Sequence, residues 1–96
     1  MKLVTMVYDS GVDELVCERV DALGLPGYTK LFGAHGIGGQ GKKSGDQVWP
    51  GENNVLLMAM EDDLVEPLRH LMRSLQEGFR LKPGITIMVS PVEVLP

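Results

Sequence analysis

The chain has 96 residues, of which 44% are hydrophobic and 23% are charged, a composition typical of one ordinary globular domain. Its net charge of −4 excludes a general nucleic-acid-binding protein, because phosphate contacts require a basic face. A single cysteine, Cys17, excludes an internal disulfide and fits a reducing, cytoplasmic location. No apolar run approaches the roughly 20 residues of a membrane-spanning helix, and the N-terminus lacks the pattern of a signal peptide.

The first half of the chain predicts a strand, a helix and a second strand, at residues 3–8, 12–23 and 28–32. The first strand is a short apolar run with three β-branched residues, which is typical of a central strand. In the helix, apolar residues recur on one face, and either Ser10 or Asp13 can cap its N-terminus. Gly24 then ends the helix.

The second half predicts another strand, helix and strand. The third strand covers residues 55–60, and a helix follows that begins near Asp63 and ends near Gly78. Apolar residues follow the helical repeat of this segment without a miss, which makes it the clearest helix in the chain. The fourth strand covers residues 85–89, and residues 92–95 are a candidate for a short edge strand beyond Pro91.

The element order β-α-β-loop-β-α-β predicts an α+β fold, the ferredoxin-like βαββαβ sandwich. Its sheet has four antiparallel strands with both helices on one face, and residues 1–96 form a single domain. Strands one, three and four are apolar at nearly every position. In a sheet with one face exposed to solvent, apolar and polar residues would alternate along each strand. We therefore expect another copy of the chain to cover the second face.

A long segment, residues 36–51, joins the predicted second and third strands. It contains six of the twelve glycines, the adjacent Lys42 and Lys43, and the only tryptophan, Trp49. Glycine disfavours both helix and regular strand, and loops of this length are usually functional or disordered. Because glycine lets backbone N–H groups approach an anion and the lysines add positive charge, we interpret the segment as a phosphate- or carboxylate-binding loop.

Two familiar phosphate motifs fit this segment poorly. Residues 36–41 match G-x-G-x-x-G, but Gly45 and Pro50 prevent the helix that the dinucleotide fold requires after it. Residues 36–42 also match the start of the P-loop pattern, G-x-x-x-x-G-K. However, Lys43 occupies the position at which serine or threonine would bind magnesium. We reject both interpretations.

The segment Gly-Ile-Gly-Gly-Gln-Gly-Lys at residues 36–42 resembles the G-x-G-R-Q-K-G with which PII signal-transduction proteins begin their T-loop. The element order and the position of the loop are also similar to that family. The resemblance implies a non-enzymatic regulator, a homotrimer that binds a small anionic effector such as ATP, ADP or AMP with Mg in clefts between subunits. It further implies that the loop contacts a target protein, an enzyme or a membrane transporter. The net charge of −4 argues against nucleic acid as a partner.

Carried over by position, the resemblance gives roles to individual residues. Gly36 and Gly38 would shape the cleft, and Gln40 would lie beside the phosphates and metal. Thr29 or Lys30 on the second strand would approach the base. The predicted ligand-binding set is Thr29, Lys30, Gly36, Gly38, Gly39, Gln40, Lys42 and Lys43. Trp49 is the candidate partner contact, because tryptophan is favoured at interface hot spots.

The chain also departs from the family pattern. Gly39 replaces the arginine of the loop motif, and the loop has Trp49 as its only aromatic residue, without the modified tyrosine. The second signature, a Gly-Asp-Gly-basic phosphate loop, is reduced to Arg-Leu-Lys-Pro-Gly at residues 80–84. The C-terminal arginines are absent. The sequence therefore predicts a divergent PII-like protein, for which a different ligand such as another nucleotide, bicarbonate or a metal ion stays open.

Two other functions remain as alternatives. A metal-binding trimer resembling the CutA group has the same architecture and would need His35 or Cys17 as a ligand. A small ferredoxin-like enzyme would depend on His35 or Tyr8, although the sequence predicts no nucleophile or acid–base pair at a convincing spacing.

Overall fold

A computed structural model of the chain describes residues 1–36 and 52–96. Its six main elements are β1 (Lys2–Asp9), α1 (Asp13–Asp21), β2 (Thr29–Ala34), β3 (Asn53–Met60), α2 (Val65–Glu77) and β4 (Ile85–Pro91). One short 3-10 turn precedes each helix. The predicted element order is confirmed, and each main element lies within a few residues of its predicted position.

The four strands form one antiparallel sheet in the order β2-β3-β1-β4. This order, with two helices connecting strands that are not neighbours, is the ferredoxin-like arrangement, so the predicted fold class is confirmed. β1 lies at the centre and is paired along its whole length with β3. β2 and β4 are the two edge strands.

The core lies between one face of the sheet and both helices. In β1 and β3, every second residue is buried, because successive side chains of a strand point to opposite faces. The buried apolar residues from these strands are Val4, Met6, Tyr8, Leu56, Met58 and Met60, and those from the helices are Val16, Val20, Leu68, Met72 and Leu75. The helical periodicity of α2 therefore identified the residues that the helix buries.

The opposite face of the sheet is mainly apolar, with four hydroxyl side chains, those of Thr5, Thr29, Thr86 and Ser90, among the apolar ones. We call it the outer sheet face; it contains Leu3, Val7, Leu31, Val55, Leu57 and Met88, which the strand register places on one side. Leu31 and Met88 are each 50% exposed in a single chain. The expected apolar second face is therefore present.

Three local details add to or differ from the sequence prediction. Neither Ser10 nor Asp13 caps the first helix; instead the Asp9 carboxylate accepts a hydrogen bond from the Gly11 amide at 3.0 Å and caps the preceding turn. Residues 92–95 are not a strand, and β4 itself continues to Pro91. Among the described residues, no helix is both long and apolar enough to cross a membrane.

Candidate functional site

The ends of β2 and β3 define where the long loop leaves and rejoins the fold. Ala34 at the end of β2 pairs with Asn53 at the start of β3, so the two ends of the loop lie side by side in the sheet. Gly36 is the last described residue before the loop, and both it and His35 are exposed. We call this region the loop root.

A polar cluster lies beside the loop root on the helix side of the sheet. Its centre is the side chain of Asp13, the first residue of α1. Four further side chains converge on this carboxylate: Tyr8 of β1, Cys17 of α1, Lys30 of β2 and Asn54 of β3. We call these five residues the Asp13 cluster; it joins three strands and one helix.

The Asp13 carboxylate is almost fully saturated with donors. Lys30 Nζ donates to Oδ2 at 2.8 Å, and this salt bridge is mostly shielded from solvent, with side-chain exposures of 18% for Lys30 and 26% for Asp13. Oδ1 accepts hydrogen bonds from the Tyr8 hydroxyl and from Asn54 Nδ2, the latter at 3.0 Å. The Cys17 thiol lies 3.7 Å from the same oxygen. A carboxylate with this many donors holds its neighbours in fixed positions.

Asn54 connects the cluster to the loop root. It is 4% exposed, and while its amide nitrogen donates to Asp13, its Oδ1 accepts a hydrogen bond from the Gly33 amide at 3.4 Å. Gly33 has φ of 66°, and the register between β2 and β3 shifts between Leu31 and Ala34. A residue with a side chain would be strained at this φ, so glycine permits the bulge where β2 approaches the loop.

The charges of the cluster stabilise one another. Partial burial opposes ionisation of Asp13, but the hydrogen bonds from Lys30, Tyr8 and Asn54 outweigh it and lower the Asp13 pKa from 3.8 to about 2. The hydrogen bond to Asp13 raises the pKa of Lys30 above its ordinary value. Burial, together with the hydrogen bond to Asp13, raises the pKa of Tyr8. Asp13 is therefore anionic, Lys30 cationic and Tyr8 neutral around neutral pH.

This arrangement predicts how acid affects stability. The Asp13 pKa is lower in the folded chain than its ordinary 3.8, so the ionised carboxylate stabilises the fold. This contribution to the free energy of unfolding is complete above about pH 4 and is lost as pH falls toward 2. The shift corresponds to about 2 kcal/mol. Asp9 acts in the opposite direction, since burial raises its pKa and protonation then favours the fold.

The measurement is urea unfolding of the chain and of Asp13→Asn between pH 2 and 7. We expect the wild-type free energy of unfolding to fall more steeply below pH 4 than that of the variant. Parallel curves for the two proteins would contradict the role assigned to Asp13.

Comparison with known proteins adds a second kind of evidence. No protein-family model and no curated protein matches the chain. Among solved structures, CPII from Thiomonas intermedia K12 bound to ADP, AMP and acetate matches with a TM-score of 0.69 and 17% identity, over 97% of this chain and 88% of that one. The same protein bound to ADP, AMP and bicarbonate matches with a TM-score of 0.67 and 19% identity, over 95% of this chain and 86% of that one.

A further solved structure, described as a candidate PII-like signalling protein from Thermus thermophilus, is 29% identical to this chain. It matches with a TM-score of 0.60 over 93% of this chain and 83% of that one. This chain has a PII-like fold. The family resemblance drawn from residues 36–42 is thus confirmed. The names of these PII-like proteins are those of regulators and signalling proteins, which agrees with the prediction of a non-enzymatic protein.

Within this PII-like fold, the two predicted ligand-binding residues of β2 lie on opposite faces of the sheet. The register pairs Thr29 with Leu57, on the outer sheet face, and Lys30 with Leu56, on the helix side. Thr29 is exposed, whereas the Lys30 ammonium is held by Asp13 and lies 5.2 Å from the centre of the Phe32 ring. The two side chains therefore point to opposite faces of the strand and do not act on one ligand atom together.

The remaining predicted residues are only partly covered by the structure. Gly36 lies at the loop root, as expected from its position in the sequence. The predicted ligand residues Gly38, Gly39, Gln40, Lys42 and Lys43 and the predicted partner contact Trp49 lie outside the described residues.

The described residues give no specific support to the two alternatives, a metal-binding trimer resembling the CutA group and a small ferredoxin-like enzyme. Within residues 1–36 and 52–96, no group of three or more His, Cys, Asp or Glu side chains is placed to hold a metal ion. Cys17 is directed into the Asp13 cluster, and His35 is exposed at the loop root. The Tyr8 hydroxyl, which the enzyme alternative would use, donates to Asp13 and belongs to a residue that is 1% exposed.

Sequence reasoning missed the Asp13 cluster as a unit. It treated Asp13 as a helix cap and Tyr8 as part of a strand, and it began the third strand one residue after Asn54. The available signal was weak: Asn54 is an asparagine at the start of an otherwise apolar strand, where an amide needs a buried partner.

Proposed function

We propose that this PII-like protein is a cytoplasmic regulator that binds a small anionic effector, foremost an adenine nucleotide, at the loop root. The effector lies in clefts between three copies of the chain and changes how residues 36–51 are presented to a target protein. The observation that carries this proposal is the match of nearly the whole chain to CPII, a protein solved with ADP, AMP, acetate and bicarbonate. If a ligand favours one loop conformation and the partner binds that conformation, the two binding events are coupled. The coupling free energy by which the ligand changes the partner's affinity equals the one by which the partner changes the ligand's affinity.

The proposed trimer is supported by the outer sheet face. Its apolar side chains remain partly exposed in one chain. Burying this face would stabilise the assembly by about 25 cal/mol for each Å² of apolar surface removed from water. In the described strands, the register places one charged residue on this side, Asp9, which is 4% exposed and accepts a hydrogen bond from the Gly11 amide. A second and a third copy would cover it, and each would bring its own loop root to the edge of a neighbour.

The loop root supports the proposed effector position. Gly36 and the predicted Gly38, Gly39 and Gln40 supply backbone and amide groups for phosphate or carboxylate oxygens. Lys42 and Lys43 would supply positive charge in a chain whose net charge is −4. Mg would accompany a nucleotide, and Gln40 would lie beside the phosphates and the metal.

Thr29 and Lys30 then take different roles. Thr29 is exposed and is the one of the two that would contact the base of a nucleotide directly. Lys30 is held by Asp13, so we infer that it positions β2 at the loop root rather than binding the effector itself. The proposed partner contact is Trp49, and the partner is an enzyme or a membrane transporter.

Calorimetric titration with ATP, ADP and AMP, with and without magnesium, tests the effector. We expect at least one nucleotide to bind, and the double variant Lys42→Ala with Lys43→Ala to bind it roughly tenfold more weakly, because removal of charge from an anion site costs on the order of 1–2 kcal/mol. The double variant Arg69→Ala with Arg73→Ala is the matched control, since both arginines are exposed on α2, outside the loop and outside residues 80–84.

The outcomes are distinct. Absence of heat from all three nucleotides, with heat from bicarbonate or acetate, would replace the nucleotide by a smaller anion. Absence of heat from every one of these ligands would contradict the proposal of an anionic effector.

A further inference from the structure

The pairing of β2 with β3 shifts by one residue beside the loop root. Ala34 pairs with Asn53, and two residues of β2, Phe32 and Gly33, lie opposite the single residue Asn54. This pairing of two residues with one is a β-bulge, and Gly33 adopts its φ of 66° within it. Because successive residues of a strand point to opposite faces, one extra residue reverses the faces of the residues that follow it.

The bulge therefore sets the face of the sheet on which β2 ends. Before the bulge, Thr29 lies on the outer sheet face, opposite Leu57. After it, Ala34 lies on the same face, opposite Asn53. In a regular strand, Gly33 would be opposite Asn53, and Ala34 would lie one residue further along, on the helix side. The bulged register thus places Thr29, the proposed contact to the base, and the last residue before the loop root on one face.

The Asn54 side chain is placed to hold this bulge. The extra residue of a bulge is left outside the regular strand pairing, and here the Gly33 amide donates to Asn54 Oδ1 at 3.4 Å. At the other end of the side chain, Asn54 Nδ2 donates to Asp13 at 3.0 Å, which fixes the orientation of the amide group. Asn54 is 4% exposed, so it acts from inside the fold. Leucine has a similar size but can make neither hydrogen bond.

We propose that Asn54 is the positioning residue of the loop root. Its hydrogen bond to Gly33 selects the bulged register of β2 over the regular one, and the bulged register sets the affinity for the effector. Asn54 acts through the backbone of β2 and does not touch the effector. The effect on affinity rests on the proposed function, whereas the choice of register does not. A ligand that binds one of two registers binds more weakly when the other register becomes populated.

Nuclear magnetic resonance of the full chain, labelled with nitrogen-15 and carbon-13, measures the register directly. In the wild type we expect a cross-strand contact between backbone protons of Ala34 and Asn53. In Asn54→Leu we expect a contact between Gly33 and Asn53 instead, because the hydrogen bond that selects the bulge is gone. A well-dispersed spectrum shows that the variant folds.

Calorimetric titration with whichever of ATP, ADP and AMP binds to the wild type measures the effect on affinity. We expect Asn54→Leu to bind the nucleotide roughly tenfold more weakly, which lies within the usual range of coupling between two sites. Met58→Ala is the matched control, since Met58 is 1% exposed on the same face of β3. Its truncation destabilises the fold by leaving a cavity but removes no hydrogen bond to β2, so the affinity should remain that of the wild type.

A deletion separates positioning from stability. Removal of Gly33 takes out the extra residue, so a regular strand places Phe32 opposite residue 54 and Ala34 opposite Asn53 again. We expect Asn54→Leu combined with this deletion to recover the contact between Ala34 and Asn53 and most of the nucleotide affinity. A loss of affinity caused by general destabilisation would not be recovered in this way.

Three results would overturn the proposal. The first is an Asn54→Leu variant that keeps the contact between Ala34 and Asn53. The second is a shifted register with wild-type affinity, or a Met58→Ala variant that binds as weakly as Asn54→Leu. The third is a deletion of Gly33 that does not restore the affinity of Asn54→Leu. A wild type that binds no nucleotide contradicts the proposed effector instead, and the register of Asn54→Leu then decides the role of Asn54.

Discussion

Replacing Asp13 by alanine is expected to lower the free energy of unfolding by about 2–4 kcal/mol, because the change removes the acceptor on which the cluster converges. The Lys30 ammonium would keep 18% side-chain exposure without its counter-ion. The Tyr8 hydroxyl and the Asn54 amide would lose their acceptor inside residues that are 1% and 4% exposed. In a domain of this size, such a loss lowers the melting temperature by roughly 10 °C or more.

The measurement is urea and thermal unfolding at a fixed protein concentration and pH 7. Glu14→Ala is the control, because Glu14 is the next residue of α1 and is exposed, so its removal should change stability by no more than about 0.5 kcal/mol. If Asp13→Ala is as stable as Glu14→Ala, the cluster does not hold the strands and helix together.

A double-mutant cycle separates the salt bridge from the rest of the cluster. Asp13→Ala and Lys30→Met should each destabilise the chain, and the double variant should be less destabilised than the sum of the two by roughly 1–3 kcal/mol, since it leaves no unpaired charge. Additive effects would assign the stability to the Tyr8 and Asn54 hydrogen bonds instead.

Replacing Leu57 by aspartate is expected to separate the proposed trimer into single chains. Leu57 lies in the middle of the outer sheet face, opposite Thr5 of β1 and Thr29 of β2. An aspartate there would be buried without a partner in each of three copies, and the penalty for one unpaired buried charge is several kcal/mol. In one isolated chain the same side chain is partly exposed, so the fold itself should survive.

Light scattering coupled to size-exclusion chromatography measures the effect. We expect three times the mass of one chain for the wild type and the mass of one chain for Leu57→Asp, with unchanged circular dichroism. Leu81→Asp is the matched control, because Leu81 is 64% exposed outside the sheet and should keep the wild-type mass. A wild type with the mass of one chain would contradict the trimer.

Much of the fold could be predicted from residue patterns because those patterns are local. The periodicity of α2 follows from 3.6 residues per turn, so residues that share a face can be identified without knowing what they touch. The sheet order then followed from the number and order of elements, since few connections are possible for two β-α-β units. The family resemblance also depended on seven consecutive residues.

The candidate site was harder to predict from the sequence than the fold. Its position at the loop root could be predicted, because the loop interrupts the chain between two recognisable strands. The Asp13 cluster could not, because Lys30 and Asn54 lie 17 and 41 residues from Asp13 in the chain and show no common spacing. The sequence also placed Thr29 and Lys30 together as ligand candidates, whereas the strand directs them to opposite faces.

By itself, the amino-acid sequence determined the elements, their order, the apolar face of each helix and the glycine-rich loop, since each follows from a repeat or a composition that neighbouring residues carry. Only the tertiary structure decided which polar groups meet at Asp13 and that Thr29 and Lys30 lie on opposite faces of β2. These are contacts between distant segments, and their positions depend on the register of the sheet and the packing of the helices against it.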